Sequence, residues 1–228
     1  MSIKTDYLVR PVPINQTYPW LKRKHYMYRV PAISDAFGLY RTSDMLLQGV
    51  CTYGPPSRMF NNGYGLFGGR LERPTCELNR LVVNEGLPRG ALSFFVAQTF
   101  RHFQKPSCLV SYADGNAGHH GYIYQATNWL FLGVTKPERI YFDTRQNKVV
   151  HQRTISDMFG TASKDRLPDY IEITMEESGK YRYLQLLGDK KQIQEMRENL
   201  EYKVQPYPKG DNSRYDASPV VPVQQVLF

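Results

Sequence analysis

The apolar positions change period several times along the middle of the chain. ELNRLVV (Glu77–Val83), bounded by the turn NEGLPRG (Asn84–Gly90), reads as a strand. Over Ala91–Gln104 the residues Leu92, Phe95, Val96, Thr99, Phe100 and Phe103 recur at helical spacing, and Pro106 closes that helix. Cys108–Ala113 reads as a strand ending at Asp114, Gly115–Gly118 as a turn, His119–Asn128 as a second helix and Trp129–Gly133 as a further strand. Strand, helix, strand, helix, strand predicts an α/β fold with a mixed or parallel sheet at its centre.

The flanks are less regular. Residues 1–16 carry Pro11 and Pro13 and read as an irregular arm. Thr17 is placed to cap a short helix holding Pro19, Trp20, Leu21, Lys24, His25 and Tyr28, which Pro31 ends. Ala36–Tyr40 and Met45–Tyr53 read as two strands around Arg41–Asp44. Residues 54–74, rich in Gly and Pro, read as a long exposed loop. Arg139–Asp143 and Lys148–Gln152 form a hairpin pattern, Lys180–Leu187 a strand and Lys190–Leu200 a polar helix. From Gln205 onward the prolines predict an extended tail, so the expected organisation is an arm (1–16), one α/β domain (17–204) and a tail (205–228).

Composition narrows the class. The 228 residues include 29 Lys+Arg against 21 Asp+Glu, a formal charge of +8 that favours capture of polyanions. Seventeen Tyr offer stacking faces with polar tips. No apolar run reaches the length of a membrane helix, and Met1–Asp6 holds no apolar core of a secretory signal. Cys51, Cys76 and Cys108 are odd in number and widely spaced, which points to a reducing, cytoplasmic setting.

Several residues stand where chemistry is expected. Asp114 ends a strand at a glycine-bounded turn, where open α/β sheets bind ligands and a carboxylate can accept a hydrogen bond or a proton. His120 and Tyr124 are four residues apart and share a face if the segment is helical; Tyr124 is either a proton donor or a packing residue. Gly121 implies a close approach of backbone or ligand. Arg80 alternates with Leu78 and Val82, which puts it on their face and Glu77 on the other, so its expected partner is a phosphate or Asp114. Gly63–Gly68 matches G-x-G-x-x-G by letter but lies between Pro- and Gly-rich stretches, not between a strand and a helix, so it is not a dinucleotide site; it is a loop that touches DNA or an inert one. The motifs of zinc deaminases, P-loop enzymes and serine hydrolases are absent.

Two resemblances add to this. The order of elements, ending in YQATNWLFLG (Tyr124–Gly133), resembles the acetyl-CoA-dependent N-acetyltransferase (GNAT) fold, whose corresponding Tyr protonates the thiolate. The resemblance implies an acyl donor of acetyl-CoA type held near Arg89, Gly90, Ala91 and Ser93, although Asn84–Ala91 keeps only the closing Gly-Ala of the usual pyrophosphate turn. KHYMYR (Lys24–Arg29), ELNRL (Glu77–Leu81), SYAD (Ser111–Asp114), GHHGYIYQATNW (Gly118–Trp129) and PYPKG (Pro206–Gly210) together resemble the phage Mom family of DNA-modifying proteins, over about residues 20–210. That likeness implies conversion of adenine N6 to a carbamoylmethyl form, protection of phage DNA from restriction, and the cytoplasm of a bacterial host as its place of action. It implies catalytic roles for His25, Tyr26, Ser111, Asp114 and Tyr124, and substrate or DNA contacts from Arg80, Tyr112, His119, His120 and Asn128. It also implies iron, for which His25, Asp114 and His119 are the candidate ligands. The alternatives are an ordinary N-acetyltransferase acting on a small amine or protein, and a non-catalytic phage DNA-binding protein. Finally, Gln224, Leu227 and Phe228 form Gln-x-x-Leu-Phe, which resembles the peptide that polymerase and repair proteins insert into the bacterial sliding clamp. The competing role for this tail is packing on its own domain or closing a homodimer.

Overall fold

The computed structural model describes residues 3–25, 29–115, 118–150, 152–175 and 178–210. The chain begins with a helical turn α1 (Ile3–Asp6) and strand β1 (Tyr7–Pro11), followed by helix α2 (Ile14–Arg23) and strands β2 (Asp35–Arg41) and β3 (Leu47–Gly54). A 3-10 segment (Arg58–Gly63) and a short helix α3 (Tyr64–Phe67) lead into β4 (Thr75–Val83), α4 (Ala91–Thr99), β5 (Ser107–Asp114), α5 (Tyr122–Ala126) and β6 (Leu130–Val134). Then come β7 (Arg139–Asp143), β8 (Lys148–Val150), α6 (Gln152–Phe159), β9 (Ile171–Met175), β10 (Lys180–Leu187) and α7 (Lys190–Glu198).

Seven strands form one sheet in the order β1-β2-β3-β4-β5-β10-β6. Only the β4–β5 pair is parallel, so the sheet is mixed, as the central alternation of elements predicts. Both faces are covered. On one, α4 and α5 bury Phe95, Val96 and Tyr124 against Cys51, Tyr53, Leu78, Leu109 and Tyr183. On the other, Phe60, Leu66, Phe67 and Met196 pack on Cys108, Val110, Leu184 and Leu186, while Trp20 and Leu21 of α2 pack on Tyr40, Val50 and Val82. Strands β8, β7 and β9 make a separate small sheet with its own core of Tyr141, Val150, Ile155 and Ile171. Among the described residues no helix is long and apolar enough to cross a membrane.

Several local expectations are corrected. The expected arm is ordered: Tyr7–Pro11 pairs along β2, and Val12 N–H continues the ladder to Ala36 O. Helix α2 starts after Pro13, and Thr17 is buried inside it with its hydroxyl on Ile14 O, not at the cap. The 54–74 segment is not an exposed loop throughout, because Phe60, Leu66 and Phe67 are fully buried; each such side chain stabilises the fold by roughly 1.5–3 kcal/mol. The expected helix over 119–128 shrinks to Tyr122–Ala126. Gly121 precedes it at φ +77, and a Cβ there would clash with the Tyr183 ring, so the close approach is made by a side chain and not by the backbone or ligand expected. The hairpin after Arg139 belongs to the small sheet, whose third strand β9 and helix α6 were not legible in the sequence.

Candidate active site at the fork between two parallel strands

Strands β4 and β5 pair only over Thr75–Glu77 and Cys108–Val110. Beyond those three pairs they part, and an open cleft occupies the fork. A bulge in β4 accompanies the parting: Tyr53 of β3 pairs with Leu78, but Thr52 pairs with Arg80, leaving Asn79 as the extra residue. The Asn79 side chain is fixed there, accepting from Thr52 Oγ1 at 2.6 Å and donating to Ala32 O at 2.9 Å. Ser111 spans the base of the fork. Its Oγ lies 2.7 Å from Leu78 O and 2.7 Å from Tyr124 Oη. A serine hydroxyl has one proton and a carbonyl only accepts, so Ser111 donates to Leu78 O and Tyr124 donates to Ser111.

The bulge also resets which way side chains point. Leu78 and Leu81 share the α4/α5 face, whereas Arg80, opposite Thr52, turns to the other face with Glu77. Strict alternation had put Arg80 with Leu78 and away from Glu77. That expectation fails because one extra residue flips the register, and the Arg80 charge acts on the Glu77 carboxyl.

The second face therefore gathers ionisable groups along the cleft: His25 after α2, Glu77 and Arg80 on β4, Tyr112 and Asp114 on β5, and Lys180 and Arg182 on β10. Register places Lys180 opposite Asp114 and Arg182 opposite Tyr112. Burial pushes the Glu77 carboxyl up to about 7, against the pull of Arg80 and Lys180. Burial, aided by the charges of Arg80 and His119, pushes the His25 imidazole down to about 3, so His25 is neutral at physiological pH. His119 is lowered by burial, which Asp114 opposes and His120 reinforces. Burial lifts the Tyr112 phenol to about 12 despite the nearby Arg182 charge, so it stays protonated. Glu77 is the group that sequence reasoning set aside; the bulge, which leaves no mark in the apolar pattern, turns Arg80 to its face and so gathers the two.

Most other expected site residues reach the same cleft. Arg89, Gly90 and Ser93 line it at the start of α4. Gly90 adopts φ +88 and receives the Ser93 hydroxyl at 3.0 Å. Ala91 is fully buried and does not reach the cleft. His119 and His120 line the cleft from the turn before α5, so the expected helical face shared by His120 and Tyr124 does not exist. Asn128 lies outside the site: it is an exposed residue at φ +60 in the turn that ends α5. Tyr26 and the tail residues Gln224, Leu227 and Phe228 lie outside the described residues. Among the described residues no group of three His, Cys, Asp or Glu side chains is arranged to hold a metal. The His25–Asp114–His119 iron set is not assembled, and the guanidinium of Arg80 acting on His25 makes that corner hostile to a further cation.

The segment after α7 straps across the edge of the sheet and continues the fold past residue 204. Gln205 N–H bonds Phe131 O at 2.9 Å and the Tyr207 hydroxyl donates to Trp129 O at 2.7 Å. Gly210 then abuts His120, where a Cβ would stand 2.4 Å from Nε2. The PYPKG segment is thus part of the domain, and the His119–His120 turn rests against it.

Comparison with known proteins adds identity to this geometry. A relative from Escherichia phage Mu, methylcarbamoylase mom, is 25% identical over 146 residues, which span 60% of this chain and 57% of that protein. Solved structures similar in fold include a ribosomal-protein-S5-alanine acetyltransferase from Vibrio fischeri, with a TM-score of 0.46, 10% identity and coverage of 81% of this chain and 94% of that one. Arabidopsis thaliana NAA60 in complex with a bisubstrate analogue aligns with a TM-score of 0.42 and 12% identity, over 79% of this chain and 97% of that one. The model of the Mom protein family matches residues 6–209, nearly the whole described fold, and the chain belongs to that family.

Proposed function

We propose that this protein is a phage DNA-modification enzyme that attaches a carbamoylmethyl group to adenine N6 and so shields the DNA from restriction. The observation that carries the reading is the row of proton-handling and cationic side chains on one face of the fork, in a member of the Mom family. Adenine N6 is enclosed in a duplex, so the base must be flipped out or met unpaired before it reaches such a cleft. The product has a bond from N6 to a methylene carbon. That distinguishes it from simple acetyl transfer, which makes an amide. Forming the bond removes one N6 proton, and the cleft must accept it.

Asp114, at the end of β5, is placed to accept an N6–H hydrogen bond and orient the amine. Glu77 takes the proton, since burial holds its carboxyl near neutrality, where it is both available as a base and able to return as an acid. Neutral His25 and the Arg80 cation fill the β4 side of the same row. The donor enters from the α4 side past Arg89, Gly90 and Ser93, opposite the base. It is a carbamoylmethyl donor whose methylene carbon already bears the carboxamide and a leaving group. As N6 attacks that carbon the leaving group departs with the bonding electron pair, a step an acetyl thioester alone cannot supply. Tyr124 positions the fork: its hydroxyl proton is directed at Ser111 and its ring is packed against Trp129 and Tyr183, with centroids 5.1 and 5.0 Å away.

The test is nucleoside mass spectrometry of DNA from cells expressing the protein. A modified deoxyadenosine heavier by the carbamoylmethyl increment is expected. Unmodified DNA from cells holding folded protein would overturn the reading, and an acetylated small amine in its place would favour the ordinary acetyltransferase.

A further inference from the structure

Arg182 hydrogen-bonds Tyr112 in the cleft, yet its charge has no carboxylate counter-ion among the described residues. Its guanidinium is held by two rings, with the central carbon 4.8 Å from the centroid of Tyr202 and 5.4 Å from that of Phe60. Its Nε is buried without a hydrogen-bond partner. No carboxylate among the described residues stands at ion-pair distance from it. Its hydrogen-bond partner is the Tyr112 hydroxyl, which Ser57 also hydrogen-bonds. Glu77 approaches Tyr112 from the β4 side but makes no ion pair with Arg182. A guanidinium carries five N–H donors in a fixed fork, and desolvating it without an anion is costly. The two rings and the bond to Tyr112 fix the orientation of the guanidinium, leave Nε unpartnered and turn the rest of its edge to a ligand.

We infer that Arg182, with the Tyr112 and Ser57 hydroxyls, is a binding site for a phosphoryl oxyanion. Arg182 and Ser57 meet at the Tyr112 oxygen, whose own proton is left to donate, and the planar guanidinium suits bidentate contact with phosphate. The position fits a nucleotide. Along β10, Arg182 is two residues from Lys180, about 7 Å, and Lys180 stands opposite Asp114. A strand whose flipped adenine lies at Asp114 thus has a backbone phosphate within reach of Arg182. The choice of DNA as the source of that phosphate rests on the function proposed above; the oxyanion site itself does not.

The experiment compares full-length wild type with Arg182→Gln and Arg182→Lys. One arm measures anisotropy of a labelled adenine-containing single-stranded oligonucleotide over a salt series. If the phosphate belongs to DNA, Arg182→Gln weakens binding about tenfold, and the salt slope falls by about one phosphate contact. Replacing one phosphate at a time by methylphosphonate then weakens wild-type binding at one position and leaves Arg182→Gln indifferent there. The second arm uses inorganic pyrophosphate in a thermal shift assay. Protection of wild type but not Arg182→Gln, with oligonucleotide binding unaltered, assigns the site to a donor phosphate. These readouts do not require modified adenine, so they separate failure of this site from failure of the proposed function. Unchanged oligonucleotide affinity and unchanged pyrophosphate response in folded Arg182→Gln would overturn the inference. If the glutamine variant does not fold, Arg182→Lys decides: it keeps the charge and the aliphatic packing but loses the fork, so a severalfold loss in either arm supports the site and wild-type behaviour in both refutes it.

Discussion

The two faces of the sheet at the fork differ in how their polar groups are spent. On the α4/α5 face, Ser111, Tyr124 and the Leu78 carbonyl form a chain of hydrogen bonds, and Tyr53 and Thr99 pair at 2.6 Å. These groups are buried and satisfied. On the opposite face, Glu77 is held near neutrality, His25 is held neutral, and Arg182 is stacked but has no counter-ion among the described residues. In the function proposed above, these are the groups that handle protons and anions, which is where their cost is tolerated. Closed hydrogen bonding builds the fork, and open ionisable groups work in it. Buried residues lie on both faces, so burial alone does not locate the site.

Changes on the open face are expected to lower activity more than stability. The larger effect is that of Glu77→Gln, which removes the proton acceptor and should cut modification by roughly 100-fold. In wild type the rate should rise with pH around 7, and the variant should lose that rise; quantified modified adenine in a purified reaction across pH checks both. The same change should stabilise the protein at pH 8. A carboxyl whose folded pKa is raised contributes stability below its unfolded value, here 4.5, and loses it as pH climbs to about 7. His25 acts in the opposite sense. Its folded pKa of about 3 against 6.5 means that stability falls as pH drops from 6.5 towards 3. Melting temperature against pH should therefore rise with pH over that lower range more steeply in Glu77→Gln than in wild type, and His25→Asn should remove the rise.

On the closed face stability is the expected readout. Ser111→Ala strands the Leu78 carbonyl and the Tyr124 hydroxyl and should cost about 1–3 kcal/mol by denaturant melts. Tyr124→Phe removes one hydrogen bond, keeps the ring, and should cost about 1 kcal/mol. If Ser111→Ala melts like wild type, the hydrogen-bonded fork is not the structural element described.

What the sequence disclosed follows from local pattern. Helical spacing over Ala91–Gln104 and short apolar runs bounded by Gly and Pro between Glu77 and Gly133 gave the central elements. Asp114 was legible because a strand ends there at glycine. The faces of Glu77 and Arg80 were not, because a bulge depends on the partner strand and shifts the alternation by one residue. His120 and Tyr124 looked like helix neighbours until the Tyr183 ring, 62 positions from Gly121 in the chain, required a glycine between them. Arg182 carried no local signal, since its significance lies in rings contributed by Phe60 and Tyr202. The β1 strand was hidden by its prolines, which an edge position tolerates.

The most direct test of the account sets the two faces against each other in one host. Modified adenine in total DNA is quantified by nucleoside mass spectrometry for wild type, Glu77→Gln and Tyr124→Phe, with equal amounts of folded protein confirmed. The account predicts about 100-fold loss for Glu77→Gln and retention of most of the wild-type level for Tyr124→Phe. Full modification by Glu77→Gln, or its abolition by a stably folded Tyr124→Phe, would contradict the assignment of the chemistry to the open face.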